Sequence, residues 1–499
     1  MVRRRSAAVS SISVAFMFVA VASASAQEFL WQLDGDPAIS KTFGWTVETL
    51  GDLDGDGADD FVVADPQTGS IDLGAFYVYS GATRSLLWSV HGTKNIGYLG
   101  EWIAPLSDLD GDGFVDFAVT SEKDHVDVYS ALLGTVLYSI PLPFTWFGRA
   151  ANSGDVDGDG YDDLVIGGVG NFSLSQQHAC VYSGATGVNL YDWPDVGGQS
   201  ADGAGDVDGD QVPDVVIGNP WKHGAGIYRG SVTLYSGATG NLIRTIDGTK
   251  DGRLFGTGVR GGHDLDGDGV PDLLITTNPG FASEIYLMSG ATGNEITHWI
   301  ATPKRHPEMQ AEFVGDCDRD GIVDLAIDDG DAVRLISGRT WLDLFVLTDV
   351  SGCKAVGDVD GDGRPDLLLG HDIEAPVGAV EAWSAGSVFI DGTGAIGSAA
   401  TVRYLMDPND GMLALVGLPP PVSIPTPPFR GTLQISPFWI ATFLPPGTWP
   451  FGEFDLAGTI PNDPALVGTQ VLFQALVGPS FSPGQRDAAW SNLATLTIR

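Results

Sequence analysis

Cysteine, basic side chains and long apolar runs are all scarce in this chain. Three cysteines in 499 residues are too few for a disulfide framework. Cys317 and Cys353 either pair between neighbouring repeats or sit as buried thiols. Lysine and arginine together number 25 against 64 acidic residues, for a formal charge of −39. Such a surface repels phosphate backbones, which argues against nucleic acid and against anionic membranes. The apolar run "SISVAFMFVAVA" is too short to span a bilayer, and no other segment is a candidate span. With "VRRR" before it and "ASA" before Gln27, residues 1–26 read as a signal peptide. The mature chain is therefore expected to be secreted or held at the cell surface, where calcium is plentiful. Catalytic signatures are missing too: there is no H-E-x-x-H, no G-x-S-x-G and no P-loop. The eight histidines are scattered, and His263 and His371 are expected on solvated surface.

What is abundant is aspartate, gathered into one recurring nine-residue loop. "DLDGDGADD" places Asp52, Asp54, Asp56 and Asp60 at positions 1, 3, 5 and 9. "DLDGDGFVD" does the same with Asp108, Asp110, Asp112 and Asp116, and "DVDGDGYDD" with Asp155, Asp157, Asp159 and Asp163. "DVDGDQVPD" holds Asp206, Asp208, Asp210 and Asp214, and "DLDGDGVPD" holds Asp264, Asp266, Asp268 and Asp272. "DCDRDGIVD" holds Asp316, Asp318, Asp320 and Asp324, and "DVDGDGRPD" holds Asp358, Asp360, Asp362 and Asp366. Alternate carboxylates on a curled backbone converge on one point, and a hard cation makes that convergence favourable. Calcium takes six to eight oxygens, mostly Asp carboxylates and backbone carbonyls. About seven structural Ca2+ ions are expected, with the carbonyls of Ala58, Phe114, Tyr161, Val212, Val270, Ile322 and Arg364 at position 7 completing the shells. Loops four and six depart most, since Gln211 replaces the position-6 glycine and Arg319 the position-4 glycine. An EF-hand needs Glu at position 12; here that position is apolar in every copy, and a short buried strand follows rather than a helix.

The loops recur at a mean spacing of 51 residues between Asp52 and Asp358. A Ser-Gly turn follows five of them in phase, as in "YVYSGATR" and "TLYSGATG", with Ser-Ala in "DVYSALLG" and "EAWSAGS", and then comes a further apolar strand such as "SLLWSVHG". Four short antiparallel strands per repeat is the content of a propeller blade. These residues resemble the FG-GAP repeats of integrin α-subunit β-propellers and of their secreted bacterial relatives. Phe43-Gly44, Phe147-Gly148 and Phe255-Gly256 stand eight or nine residues before their loops. Ala64-Asp65-Pro66, Gly218-Asn219-Pro220 and Thr277-Asn278-Pro279 stand at the GAP position, while repeats two, six and seven lack a clear Phe-Gly. The fold expected is all-β: a seven-bladed propeller over residues 27–386. "EFLWQLDG", 28–35, supplies the outer strand that blade seven lacks. From 387 to 499 the charge falls, proline rises and alternating stretches suggest a small β-sandwich.

The resemblance implies a non-catalytic module for adhesion or for binding an extracellular protein or glycan. In the hairpin "GNPWKHGAGIYRGS", Trp221, Tyr228 and Arg229 are candidate ligand contacts; the plainer alternative is a long loop packed on its own aromatics. The other class left open is an extracellular calcium-dependent polysaccharide-degrading enzyme, lyase-like, on a propeller scaffold.

Overall fold

A computed structural model describes residues 29–384 apart from short stretches, chiefly 143–146, 170–176, 223–227, 302–310 and 371–377, and only the strand backbone between 388 and 497. Residues 1–28, which hold the expected signal peptide, lie outside the described residues. The described residues are all β, without a helix. Seven four-stranded antiparallel sheets form the seven blades of a β-propeller. Blade one runs outward through Val47–Gly51, Asp60–Asp65, Ala75–Tyr79 and Leu86–His91. Blades two to six repeat that sequential order. Blade seven has only three strands of its own, Cys353–Gly357, Asp366–Gly370 and Ala379–Ser384. Its fourth is Phe29–Asp34, paired antiparallel with Ala379–Ser384 from Asp34↔Ala379 to Phe29↔Trp383.

Burial follows position within the blade. Every residue of Asp60–Asp65, Asp116–Ser121, Asp214–Asn219 and Asp366–Gly370 is buried, because each second strand is covered by a blade on either face. That explains their continuous apolar character after the loop. The fourth strands, such as Leu86–His91, keep exposed ends. The core is a series of layers between neighbouring blades. Val62, Ala64, Phe76 and Val78 of blade one pack on Ile103, Phe117, Val119 and Tyr129 of blade two. Equivalent layers join blades two and three, three and four, four and five, five and six, and seven and one. Phe76 and Phe117 are fully buried, and each such side chain contributes about 1.5–3 kcal/mol.

Polar clasps cross the same seams. The fourth strand of a blade donates to a carbonyl of the next blade's Ser-Gly turn segment: Trp88 Nε1 to Ala131 O at 3.0 Å and Trp193 Nε1 to Gly240 O at 2.9 Å. Tyr138 donates to Gly184 O, and Arg244 reaches both Gly290 O and Ala291 O. The Phe-Gly pairs are seam elements as well. Phe255 bridges Gly230 in parallel, and in blade two Leu99 makes the same bridge to Gly74, so Leu99-Gly100 fills the place of a Phe-Gly. At Gly256, with φ of +87°, a Cβ would stand 2.6 Å from Ser231 O, which leaves no room for a side chain.

Residues 386–499 belong to a separate compact unit. Its backbone forms an antiparallel sheet of Val388–Asp391, Ala399–Leu405 and Glu453–Thr459, a second built around Gly411–Gly417 and Gln470–Gly478, and a two-stranded hairpin.

Candidate metal loops and central channel

Each aspartate loop joins the innermost strand of a blade to the second. Peptide N–H groups orient its carboxylates. Asp52 Oδ1 accepts from Gly55 N at 2.7 Å and Asp56 N at 3.0 Å, while its Oδ2 accepts from Gly57 N at 2.9 Å. Asp54 and Asp56 accept in turn from Asp56 N and Ala58 N. Loop three repeats these bonds on Asp155, Asp157 and Asp159 within a few tenths of an ångström. Ligand atoms of Asp52, Asp54 and Asp60 lie within 4.8 Å of one another. The same holds for Asp108–Asp110–Asp116, Asp155–Asp157–Asp163 and Asp264–Asp266–Asp272. These clusters are compatible with a metal ion.

Loop four differs in which carboxylates approach. There the cluster is Asp206, Asp208 and Asp210, at positions 1, 3 and 5. Gln211 at position 6 keeps the glycine-like backbone, with φ of +73°, and still donates to Asp206 Oδ2 at 2.9 Å. A residue with a Cβ is strained in that region. In loop seven Asp362 and Arg364 lie outside the described residues; Asp366 is buried and accepts from Val359 N at 3.1 Å.

Position 9 also ties the loop to the following turn. Asp60 Oδ2 accepts from Leu53 N at 2.8 Å and Asp54 N at 3.2 Å, and Oδ1 accepts from Gly81 N at 2.9 Å in the Ser-Gly turn. Asp163, Asp214, Asp272 and Asp324 staple loop to turn in the same way through Gly184, Gly237, Gly290 and Gly338. Burial pushes the Asp60 carboxyl up to about 6, with Gly81 and Leu53 pulling it down and Asp54 and Asp56 adding to the rise. Asp116, Asp163, Asp214 and Asp272 also stand at about 6, again chiefly from burial. Asp324 of loop six reaches about 8, from burial and then the charge of Asp318.

Loop six is distinct in its partners. Arg339 Nε donates to Asp320 Oδ2 at 2.7 Å, and the same guanidinium donates to the Asp320 carbonyl. In blades one and two the matching carboxylate oxygen meets a hydroxyl, Ser80 Oγ at 3.1 Å or Ser130 Oγ at 3.4 Å. Cys317 is buried, its Sγ donating to Val314 O at 3.4 Å; the Cys353 side chain lies outside the described residues, as does any pairing with it.

The hairpin candidates are engaged within the chain. Trp221 meets Tyr228 edge-on at 5.8 Å and donates to Gln199 Oε1 at 2.8 Å, and Arg229 pairs with Asp251 at 2.5 Å. His263, expected on solvated surface, is instead half-buried with its ring 4.8 Å from Phe313, and burial lowers its pKa. His371 lies outside the described residues.

One constellation was missed from the motifs alone. Residues four before the first loop aspartate fall in register on six innermost strands: Glu48, Ala104, Ala151, Asp202, Arg260 and Glu312; in blade seven a bulge between Cys353 and Ala355 puts Ala355 in that place. Several of these line a cavity of about 630 Å³, which touches the innermost strands of blades one, two, three, four, six and seven. Arg260 is almost wholly buried and makes a two-pronged ion pair with Glu312. Arg149 lies 3.7 Å from Glu312 and 4.0 Å from Asp202, with its guanidinium 5.6 Å over the Trp102 ring. Burial raises the Glu48 carboxyl to about 8, helped by Glu312 and opposed by Arg149 and Arg260. Reading the repeats in register, rather than motif by motif, shows this ring in the sequence.

The FG-GAP repeat family matches residues 255–288, from the Phe-Gly of blade five through its third strand. Integrin alpha-5 of Xenopus laevis is 28% identical over 275 residues, which is 54% of this chain and 22% of that protein. Integrin alpha-4 of Xenopus laevis is 32% identical over 112 residues, covering 21% and 11% respectively. Integrin alpha-V of Gallus gallus is 27% identical over 234 residues, covering 41% and 22%. The matched regions thus span about a fifth or less of these relatives' length. Among solved structures, "BBS1N in complex with ARL6DN, soaked with lead" covers 73% of this chain and 98% of its own at 14% identity and a TM-score of 0.49, too slight a likeness to bear on function.

Proposed function

Because this chain is an FG-GAP-repeat β-propeller similar to integrin α subunits, we propose that it is a secreted, calcium-stabilised, non-catalytic module that binds an extracellular protein or glycan. The observation that carries the reading is the convergence of three Asp oxygens within 4.8 Å in blade after blade. Oxygen donors alone, with no sulfur or imidazole among them, suit calcium. Burial raises the position-9 carboxyls above the ordinary carboxylate range, with neighbouring loop aspartates adding to the rise. Asp at positions 1, 3, 5 and 9 would hold the ion, and it would lock the loop between the innermost and second strands. We read residues 1–26 as a signal peptide, 27–386 as the propeller and 387–499 as a β-sandwich. The partner-binding face proposed is that of Trp221, Tyr228 and Arg229. Arrays of glycans and surface proteins probed in calcium test this reading. Capture that is abolished by chelator or by Trp221→Ala supports it, and binding indifferent to both overturns it.

A second reading rests on the channel. Glu48 retains a proton near neutral pH in a cavity shared with Asp202 and Glu312, an arrangement suited to a general acid. Depolymerisation of a polysaccharide panel that is lost in Glu48→Gln would place the chain among polysaccharide-degrading enzymes.

A further inference from the structure

We propose that blade six carries its own cation: the Arg339 guanidinium takes the place of the metal ion in the loop from Asp316 to Asp324. This rests on the calcium reading of the other loops and departs from it at one blade. The turn position filled by Arg339 is Ala82, Leu132, Ala185, Ala238 and Ala291 in blades one to five, and Gly386 in repeat seven. None of these can reach a carboxylate with charge. Arg339 does, at 2.7 Å from Asp320 Oδ2, with a second contact to the Asp320 carbonyl. The other oxygen, Asp320 Oδ1, accepts from Ile322 N at 2.9 Å just as Asp56 Oδ1 accepts from Ala58 N at 3.1 Å, so what sets loop six apart is the charged donor on Oδ2. That carboxylate is only 7% exposed, whereas the arginine is half-exposed, as expected of a side chain laid over the loop from outside.

Charge accounting agrees. Loop six has the same four aspartates as the others, and it alone has arginine at position 4, Arg319, as well as in the turn. A dication entering this loop would meet the Arg339 charge beside one of its ligands, and that repulsion would weaken it relative to every loop with an uncharged residue in the turn. Arginine is suited to the exchange because its planar fork grips a carboxylate and a carbonyl together and stays charged at any physiological pH. Blade six is therefore the blade whose loop stays closed when external calcium is withdrawn.

The test compares the full-length protein with Arg319→Gly/Arg339→Ala and, reciprocally, with Ala82→Arg. Bound calcium is counted by native mass spectrometry, and unfolding midpoints are measured in calcium and in excess chelator. The double variant should gain one calcium equivalent, and in chelator its midpoint should fall below that of the parent, with calcium closing the gap. Ala82→Arg should lose one equivalent. Equal calcium counts in parent and double variant, or a full count in Ala82→Arg, overturns the proposal. If no protein binds calcium, the reading of the other loops fails. The chelator measurement then decides alone: a lower midpoint in the double variant keeps Arg339 as the loop's cation, and equal midpoints dismiss it.

Discussion

Loop one and loop six have nearly the same hydrogen-bonded backbone and differ in what faces position 5. Each wraps its first carboxylate in peptide N–H groups, and each ties its position-9 aspartate to the following turn, Asp60 to Gly81 at 2.9 Å and Asp324 to Gly338 at 3.0 Å. What differs is the far side of position 5, where Asp56 meets a serine hydroxyl and Asp320 meets a guanidinium. The loop shape is thus a property of peptide hydrogen bonding, and the charge set beside position 5 is a separate choice made by one turn residue. A repeat can keep its geometry while changing the charge beside its loop.

The largest expected effect separates the two blades directly. Ion at ten times its Kd stabilises by about 1.4 kcal/mol per site, hence on the order of 8 kcal/mol over six sites. That approaches the whole net stability of a domain, about 5–15 kcal/mol. Excess chelator should therefore lower the unfolding midpoint severely, and hydrogen exchange should show blades one to three opening while Asp324 and its turn in blade six stay protected. Uniform loss of protection would break the comparison.

Next in size is the position-9 aspartate. Asp163→Ala leaves the N–H groups of Val156, Asp157 and Gly184 without their acceptor and removes a ligand, and should cost about 2–4 kcal/mol in calcium. Its penalty should shrink in chelator, where only the hydrogen bonds are lost. Asp324→Ala should cost the same in both conditions, because its loop holds no exchangeable ion. Denaturant midpoints of the four combinations check this.

A smaller gain sharpens the point that shape and charge are separable. Gln211→Gly relieves a side chain held at φ of +73° and should stabilise the protein by about 1 kcal/mol, with calcium count unchanged. A pH effect tests the contact between blades one and six, where Glu48 faces the Glu312 charge. The folded pKa of Glu48 is raised to about 8 from 4.5, so its stabilisation is complete below about 4.5 and is lost as pH rises through 8. Glu48→Gln removes that loss. The midpoint of the variant relative to the parent should rise from pH 6 to pH 9, and a flat difference would place Glu48 outside the charge ring.

The blade count and the all-β fold were legible because both follow from a period, and a period survives local substitution. Leu99 replacing the phenylalanine of a Phe-Gly pair, or Gln211 replacing a glycine, leaves the spacing intact. The convergence of Asp52, Asp54 and Asp60 was legible for a similar reason, since alternate positions on a tight turn point inward. Two things were not. The stapling role of position 9 depends on Gly81, whose approach is set by sheet pairing rather than by the loop. The neutralisation of Asp320 depends on a residue 19 positions away, in a turn whose register against the loop the sequence does not display. The channel ring was present in register but carries no motif, because its members differ in charge from blade to blade.

The strand Phe29–Asp34 has a consequence for the order of events in folding. Its partner, Ala379–Ser384, lies at the other end of the propeller segment, so this pairing has the greatest sequence separation of any in the ring. Contacts of that kind form late, and a chain emerging from its N-terminus must hold the strand idle until the last blade is complete. During that interval the Ala379–Ser384 edge is an unpaired template for any matching strand, and the best match is the same strand from a second copy. Exchange of Phe29–Asp34 between two chains would satisfy every hydrogen bond of blade seven in both, which makes crowded synthesis, rather than thermal stress, the condition under which this propeller is most apt to dimerise by swapping.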